Sequence, residues 1–471
     1  MRFASIILAV AVYCCAIAGS ETKTVRDFGA VGDGKADDTV ALMGAVDNGG
    51  SIVLPKGVYR INRPITIDLD KAGFTSLSGD GTARVVMAGA GPAFRFVGTH
   101  EGSAAPKDFK ENVWERQRMP VVRGIEIVGA HEQADGLEFS GIMELTVCEV
   151  NIRDCRHAIH LTQRNRNIVI SNCHLYHNRG CGVFYDDVNL HQSNITGSHI
   201  SYNNGGGVVL RGGDVRNVQI GTCDIESNMA ANAPPTANVL IDCTGGSIGE
   251  VAITGCTLQH NNQSAGSANI RVMGRGQLSK TKADPTQEGH IAITGNVFSD
   301  VKVNIHLDGA RGVSISGNTF WEGFEHDLLI ENSQSIVIGP NDFDRNPRYV
   351  VNGNWSKDLN GLTLRNCSDC KLNGLLVKGV WGKDGAVVLE KCQRCTITDC
   401  SILDCDGVGL QLTGCSRCKV SECKIRDDRP EKKSKGSLKV EGGTENWIKG
   451  NVLSNGASVA KDAGIEEGNR Q

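Results

Sequence analysis

The chain has 471 residues, with 58 glycines, 11 prolines, 18 cysteines and only 5% aromatic residues. Its net charge is −4 and its pI about 6.3, with no acidic or basic block, so no whole-chain basic field points to nucleic acid. The cysteine density is too low for a disulfide scaffold, and length alone would suggest about two or three domains.

At the N-terminus, Arg2 precedes an apolar run from Phe3 to Ala18 that ends in Ala16-Ile17-Ala18, the small-x-small form of an export cleavage site. The run is short for a membrane span. Residues 1–20 are therefore expected to be a signal peptide, with a retained anchor as the alternative. The mature chain is expected to be secreted, periplasmic or at the cell surface, without a membrane span, where disulfides are permitted. Residues 21–471 are expected to form one domain, with 21–60 as its N-terminal cap and first coil. Within that cap, KADDTVALMGAVD (35–47) reads as a short amphipathic helix. Asp37 or Asp38 caps it, and Val40, Leu42, Met43 and Val46 supply an apolar side. Helical periodicity is almost absent beyond it.

From about residue 140 the chain repeats. NIVISNCHLYHN (167–178), NVQIGTCDIESN (217–228), EVAITGCTLQHN (250–261), GVSISGNTF (312–320) and CTITDCSILDC (395–405) each read as an alternating strand, a tight turn and a second, shorter strand. Between them lies a third strand of the form GVVLR, NVLID or AVVLE. The turn position, held by Cys173, Ser198, Cys223, Cys256, Asn296, Asn318, Asn341, Leu375, Cys400, Cys423 and Asn451, recurs every 22 to 28 residues apart from insertions. Three short strands per repeat cannot bury an apolar face alone, but stacked coils enclose a continuous core. A leucine-rich repeat would need a fixed LxxLxL strand and a helical return, which the chain lacks. The expected fold is all-β, a single-stranded right-handed parallel β-helix of about twelve or thirteen coils with a short N-terminal capping helix.

The opening TVRDFGAVGDGKADDTVALMGAV, followed by GGSIVLPKGVYRI, resembles the start of the pectate-lyase superfamily of secreted β-helix proteins. The resemblance covers residues 24 to about 90. It implies the fold and a polysaccharide substrate, while the activity varies between lyases, hydrolases, epimerases and phage spikes. The polygalacturonase-type hydrolases carry an Asp, then an Asp-Asp pair, Gly-His-Gly and Arg-x-Lys on successive strands. Here Ala134-Asp135-Gly136 matches the first element, but Arg156-His157-Ala158 replaces the acid pair. There is no Gly-His-Gly, and NIRVM (269–273) lacks the lysine, so no catalytic residue of that group is carried over.

Alternate residues of a strand face outward, and coils lie about 4.8 Å apart. Aligned on that basis, Glu138, His160, Phe184, Val209, Leu240, Arg271 and His306 form one outward column. Two residues on, Ser140, Thr162, Asp186, Arg211, Asp242, Met273, Asp308, Glu331, Arg365 and Glu390 form the next. Asp186, Arg211, Asp242, His177 and Tyr202 are the candidate catalytic residues, and His160, Arg179, Asp187, Arg271, His306 and Asp308 the candidate binding residues. Insertions at 227–238, 259–269 and 275–289 would wall the groove.

Two carboxylates roughly 5 to 9.5 Å apart can hydrolyse a glycoside. Asp186 and Asp242, two coils apart, fall near 9.6 Å with Arg211 between them. A lyase needs a base and a cation that neutralises the uronate carboxylate. Arg211 or Arg271 would bind that carboxylate, with His177 or Tyr202 transferring the proton. The expected activity is polysaccharide lyase or glycoside hydrolase on an anionic polysaccharide, with a non-catalytic glycan-binding or cell-surface β-helix as the alternative. The bland reading of each charged residue is an ordinary solvated cross-strand ion pair. Calcium at Asp186, Asp187 or Asp242 is compatible with a lyase, although no loop has a dedicated calcium spacing. No other cofactor is expected and no metal ligand set is assigned. His157-x-x-His160 and His174-x-x-His177 have the wrong strand geometry for a metal pair and read as surface histidines.

Three C-x-x-C pairs, Cys367/Cys370, Cys392/Cys395 and Cys415/Cys418, look like zinc ligands in isolation. The repeat instead places them in stacked columns, at inward and bend positions. Core packing as small hydrophobes is the first reading, with disulfides between coils and a metal as the other two.

Overall fold

The computed structural model describes residues 23–101, 105–232, 235–274 and 289–471. The expected signal peptide and residues 275–288 of the third insertion lie outside them. In each repeat, apolar residues alternate with polar ones and the chain then turns. Each coil therefore lays down short strands that pair only with the coils on either side, in parallel. Ile152, Leu175, Ile200, Ile225 and Leu258 stack one above another in register. Val183, Val208, Val239, Ile270 and Ile305 do the same on the front sheet. All ten are buried, so the apolar rows meet in one lumen along the coil axis. This is the right-handed parallel β-helix. No helix among the described residues is long and apolar enough to cross a membrane.

In the middle of the molecule the front and second sheets are joined by long strands, Ile159–Ser171, Cys181–Thr196, Gly206–Gly221 and Ala237–Thr254. Asn167, Gln192, Asn217 and Glu250 bend these strands at one corner in left-handed conformation (φ 53°, 65°, 56° and 57°).

The cap is the helix Thr39–Asn48; of the two expected capping residues Asp37 bonds its first turn, and its apolar side departs from expectation. Asp38 makes no cap bond to it; its carboxylate accepts the Val31 and Gly32 amides at 2.6 and 3.1 Å, while Asp37 accepts the Thr39 amide at 3.0 Å. Val40 and Met43 face solvent, and the buried side is Ala41, Leu42, Ala45 and Val46. With Leu42 and Val46 inward, helical spacing brings Ala41 and Ala45 beside them and turns Val40 away.

Of the sixteen cysteines in the described residues all but Cys148 are buried, and the six of the C-x-x-C pairs are free thiols. Stacking of Ser368, Gln393 and Ser416 holds the three C-x-x-C segments in register. The thiols of Cys367, Cys392 and Cys415 donate to Ile330, Leu364 and Leu389 carbonyls at 3.4, 3.5 and 3.3 Å. Those of Cys370, Cys395 and Cys418 turn onto Ser368, Gln393 and Ser416 carbonyls at 3.3, 3.4 and 3.5 Å. They pack as small hydrophobes whose weak donors close on the backbone. Nearby coils use the same principle with other residues: Phe298, Phe320 and Phe343 stack at 4.8 and 4.5 Å between ring centres.

A second interior column is polar. At the corner leading into the front sheet, Asn178 donates to Asn203, Asn203 to Asn228, Asn228 to Asn238, Asn238 to Asn269 and Asn269 to Asn304, at 2.7 to 2.9 Å. Every member is fully buried, so each amide depends on the next for its partner. The ladder ends at Asp327, where the Asn304 amide donates to Oδ1 at 2.7 Å and Oδ2 has no partner. Burial pushes the Asp327 carboxyl up to about 7, against 3.8 for a free side chain. Nearby Glu322 is pushed up to about 8, by burial first and by Asp300 second.

Both folded values lie above the unfolded ones, so the native state holds protons that the unfolded chain releases. That contribution is complete below about pH 4 and is lost as pH rises through 7 and 8. Asp327→Asn extends the ladder with the residue that precedes it. The variant should melt above wild type at pH 8 and lose that advantage by pH 5, measured by thermal denaturation across pH. Parallel wild-type and variant profiles would show that Asp327 titrates as a free carboxylate.

Candidate functional site

Six side chains from successive coils meet on the front sheet because the register places them there. Arg95, Glu138, His160 and Phe184 are aligned partners, as are Thr162, Asp186, Arg211 and Asp242 one position pair further on. Arg95 Nε donates to Glu138 Oε1 at 2.5 Å, and Glu138 Oε2 lies 3.8 Å from His160 Nδ1. His160 Nε2 meets Asp186 Oδ2 diagonally at 3.0 Å. The imidazole is thus flanked by two carboxylates and backed by the Phe184 ring, stacked at 5.4 Å. On the next coil, the Arg211 guanidinium lies 6.0 Å above Phe184, with Nε 3.5 Å from Asp242. Asp242 is spent on holding its own turn: Oδ1 accepts the Thr244 amide at 3.1 Å and hydroxyl at 2.6 Å. The open members are Asp186 and Arg211, whose side chains are 44% and 54% exposed. An anionic group laid on this face meets a cation, a carboxylate and an imidazole within two coil spacings.

The aligned outward residues Phe184, Val209 and Leu240 are not exposed. With Cys181, Ala237 and Ala268 they form a second apolar cluster, separate from the lumen. The insertions near 227–238 and 259–269 cover it, tied down by Ser264 Oγ on the Met229 carbonyl at 3.1 Å and Thr236 on the Gly205 carbonyl at 3.2 Å. Arg271 belongs to this wall, since its guanidinium donates to the Gly266 carbonyl. Burial lowers the Arg271 pKa. His306 bonds Glu331 at 3.2 Å and Asp308 accepts from Asn332 at 2.8 Å, so both lie in a solvated ladder beyond the wall.

His177, Tyr202 and Arg179 lie elsewhere. His177 and Tyr202 occupy equivalent turn positions before the front sheet, with rings 5.4 Å apart. The strand from Cys181 to Asp186 separates that turn from the Asp186 face by about 17 Å at strand rise. Arg179 anchors the His131 and Glu132 carbonyls at 2.6 and 3.1 Å. Asp187 accepts the Gly213 amide at 2.8 Å in the following turn. The three calcium candidates thus split, with Asp187 and Asp242 occupied by turn bonds.

Sequence reading passed over Glu138, although it stands in the His160 column, and Arg95, which precedes the recognised repeats. Asp135, the one match to the hydrolase pattern, is fully buried. Arg156 grips it with Nε at 2.9 Å and Nη2 at 2.5 Å, and the His157 amide donates at 3.0 Å. Burial works to raise its pKa, but the Arg156 and His157 bonds outweigh it and hold the carboxyl below the usual range. His157 is pushed down to about 4 by burial, and its Nδ1 accepts the Cys181 amide at 3.2 Å. Asp135 is therefore a brace behind the site, fixing the strand that carries His160.

Residues 23–119 match a family model described as rhamnogalacturonase A/epimerase, pectate lyase-like, and residues 121–258 one described as right-handed beta helix region. The chain is a right-handed parallel β-helix protein, pectate-lyase-like in its N-terminal part. Residues 238–470 also match a model described as periplasmic copper-binding protein (NosD). The cysteines in that part are buried on backbone carbonyls, and no three His, Cys, Asp or Glu among the described residues are grouped to hold a metal. The donor set does not fit copper.

Among solved structures, the tailspike protein of E. coli bacteriophage HK620 in complex with pentasaccharide aligns over 89% of this chain and 78% of that one, at 12% identity and TM-score 0.54. The Dettilon tailspike protein aligns over 93% and 68%, at 14% identity and TM-score 0.50. Alginate lyase 7 of Azotobacter vinelandii is 51% identical over 43 residues, 8% of this chain and 5% of that protein. Mannuronan C5-epimerase AlgE3 of the same organism is 49% identical over 43 residues, 8% of this chain and 2% of that one. The matches thus span a small fraction of those relatives' length.

Replacing Asp135 by Asn keeps the shape but removes the charge that Arg156 grips, at a cost of about 2 kcal/mol. Denaturant unfolding should show that loss at pH 7. It should shrink in acid, because a carboxyl with a lowered folded pKa stabilises above its unfolded pKa and loses that effect as pH falls.

Proposed function

We propose that this protein acts outside the cytoplasm on an anionic polysaccharide laid along the front sheet, by removing the proton α to a uronate carboxylate. The observation that carries this reading is the open Asp186–Arg211 pair on adjacent coils, beside an imidazole flanked by carboxylates. Arg211 is placed to pair with the sugar carboxylate and stabilise the charge that develops on it when the α-proton leaves. Asp186 and His160 form a bonded dyad in which one partner accepts the proton and the other shares the charge. Proton abstraction at that carbon is the common first step of β-elimination and of C5 epimerisation. The names of the two curated relatives, a lyase and an epimerase, agree with that chemistry.

Hydrolysis by Asp186 and Asp242 is disfavoured by the same geometry. Arg211 stands between the two carboxylates, and Asp242 is already bonded to Thr244. His177 and Tyr202, assigned proton transfer from sequence, are too far along the coil and are reassigned to a surface strip.

The test is a panel of uronate polymers, read for ultraviolet-absorbing unsaturated ends and, by exchange of solvent deuterium into the sugar, for epimerisation. On the polymer that reacts, Arg211→Ala should lower kcat/KM by about 100-fold or more. His160→Gln should lower kcat by about 100- to 10,000-fold. Full activity in both variants would remove this site. Binding without turnover by the wild type across the whole panel would make the protein a non-catalytic glycan-binding β-helix.

A further inference from the structure

Beyond the front sheet, the long strands carry a second outward row towards the second sheet. Arg164, Asn189 and Asp214 align on three coils, and two residues on so do Arg166, His191 and Arg216. Asp214 and Arg216 satisfy each other at 3.1 Å, and Arg216 also donates to the Val215 and Ser247 carbonyls at 2.8 and 2.7 Å. Arg164 and Arg166 have no such partner. Neither makes an ion pair with a carboxylate among the described residues, although Arg166 is only 9% exposed. Arg166 Nε and Nη1 and Arg164 Nη2 are all buried without a hydrogen-bond partner.

A roof closes over them. The Phe109 ring covers the Arg166 guanidinium at 5.0 Å, Trp114 stacks on Phe109 at 5.9 Å, and Arg118 lies over Trp114 at 4.3 Å. His100, 3% exposed, meets Arg164 Nε at 3.4 Å and packs edge-on against Phe109 at 5.6 Å. Arg164 also donates to Asn189 Oδ1. Burial, reinforced by the two arginines, pushes His100 down to about 4, so it is neutral near pH 7 and adds no further charge.

Two guanidiniums sharing one face of one strand, with three buried nitrogens unbonded, are an expensive arrangement for a folded chain. Buried donors of this kind are almost always satisfied, by protein or by a bound group. Guanidinium pairs are suited to planar or tetrahedral oxyanions.

We propose that Arg164 and Arg166, beneath Phe109 and His100, form a binding site for a single oxyanion group, a carboxylate, sulfate or phosphate. The site begins two residues beyond Thr162, the register partner of Asp186, across the bend that the chain makes at Gln163 (φ 56°). We assign as its occupant a charged sugar of a polymer bound on the neighbouring front sheet. That assignment of the occupant rests on the proposed function, whereas the anion site itself does not.

Thermal melting of the full chain tests it, with sodium sulfate against sodium chloride at equal ionic strength and, in a second arm, with an oligogalacturonate against neutral maltooligosaccharide. Sulfate or the oligouronide should raise the wild-type Tm by about 2 °C at roughly tenfold excess over Kd. Arg166→Met and, independently, Arg164→Gln should abolish that rise. Without added anion, Arg166→Met should melt at or above the wild type, because it removes an unpaired buried cation; a purely structural arginine would instead lower Tm. A rise with the oligouronide identifies the occupant as a sugar carboxylate, and a rise with sulfate alone identifies a free inorganic anion. No rise in either arm, or equal rises in the wild type and both variants, overturns the site. Because the readout is melting rather than turnover, the site survives or fails separately from the Asp186–Arg211 chemistry.

Discussion

In-register stacking of parallel coils governs nearly everything else in this protein. A spacing of about 4.8 Å forces each side chain to lie over its equivalent in the next coil, so every column must be compatible with itself. Apolar columns meet this requirement readily, as in the Phe298–Phe320–Phe343 stack. Amides meet it through the head-to-tail chain from Asn178 to Asn304, because an amide both donates and accepts. A carboxylate only accepts, and for that reason the chain of amides ends at Asp327 with one oxygen unbonded.

Charged columns meet the same requirement by alternating sign. Arg95, Glu138, His160, Asp186, Arg211 and Asp242 run along the front sheet in that way, and Glu331, Arg365 and Glu390 repeat the pattern further on. On an exposed surface such ladders contribute little individually. The first one differs through its surroundings. Loops seal an apolar cluster around Phe184, Val209 and Leu240 beside it, so that part of the ladder has a dry wall on one side and open Asp186 and Arg211 on the other. Beyond the front sheet, Arg164 and Arg166 break the alternation, with no carboxylate paired to either among the described residues.

The fold was legible because it depends on a local rule repeated many times. Alternation of period two and a turn every two dozen residues identify the coils and their inward rows, and they place the C-x-x-C cysteines in the core rather than around a metal. The column containing Asp186, Arg211 and Asp242 follows from the same alignment. Other features depended on contacts that the repeat does not encode. The diagonal bond between His160 and Asp186 joins side chains that are not register partners, so column alignment could not pair them. The burial of Phe184 under residues some fifty to eighty positions later depends on how the insertions fold back. His177 and Tyr202 look close to Asp186 in sequence, but an extended strand carries them to a different corner.

The sequence by itself determined the architecture, the stacking order and the identity of the residues in each column, because a solenoid's contacts are nearest-neighbour and its strand period is fixed. Only the tertiary structure decided which of those columns is sheltered, which carboxylates are already spent on turns, and which arginines lack a partner. Those properties come from loops crossing between coils, from the roof formed by Phe109 and Trp114, and from side-chain reach, none of which has a periodic signature in the chain.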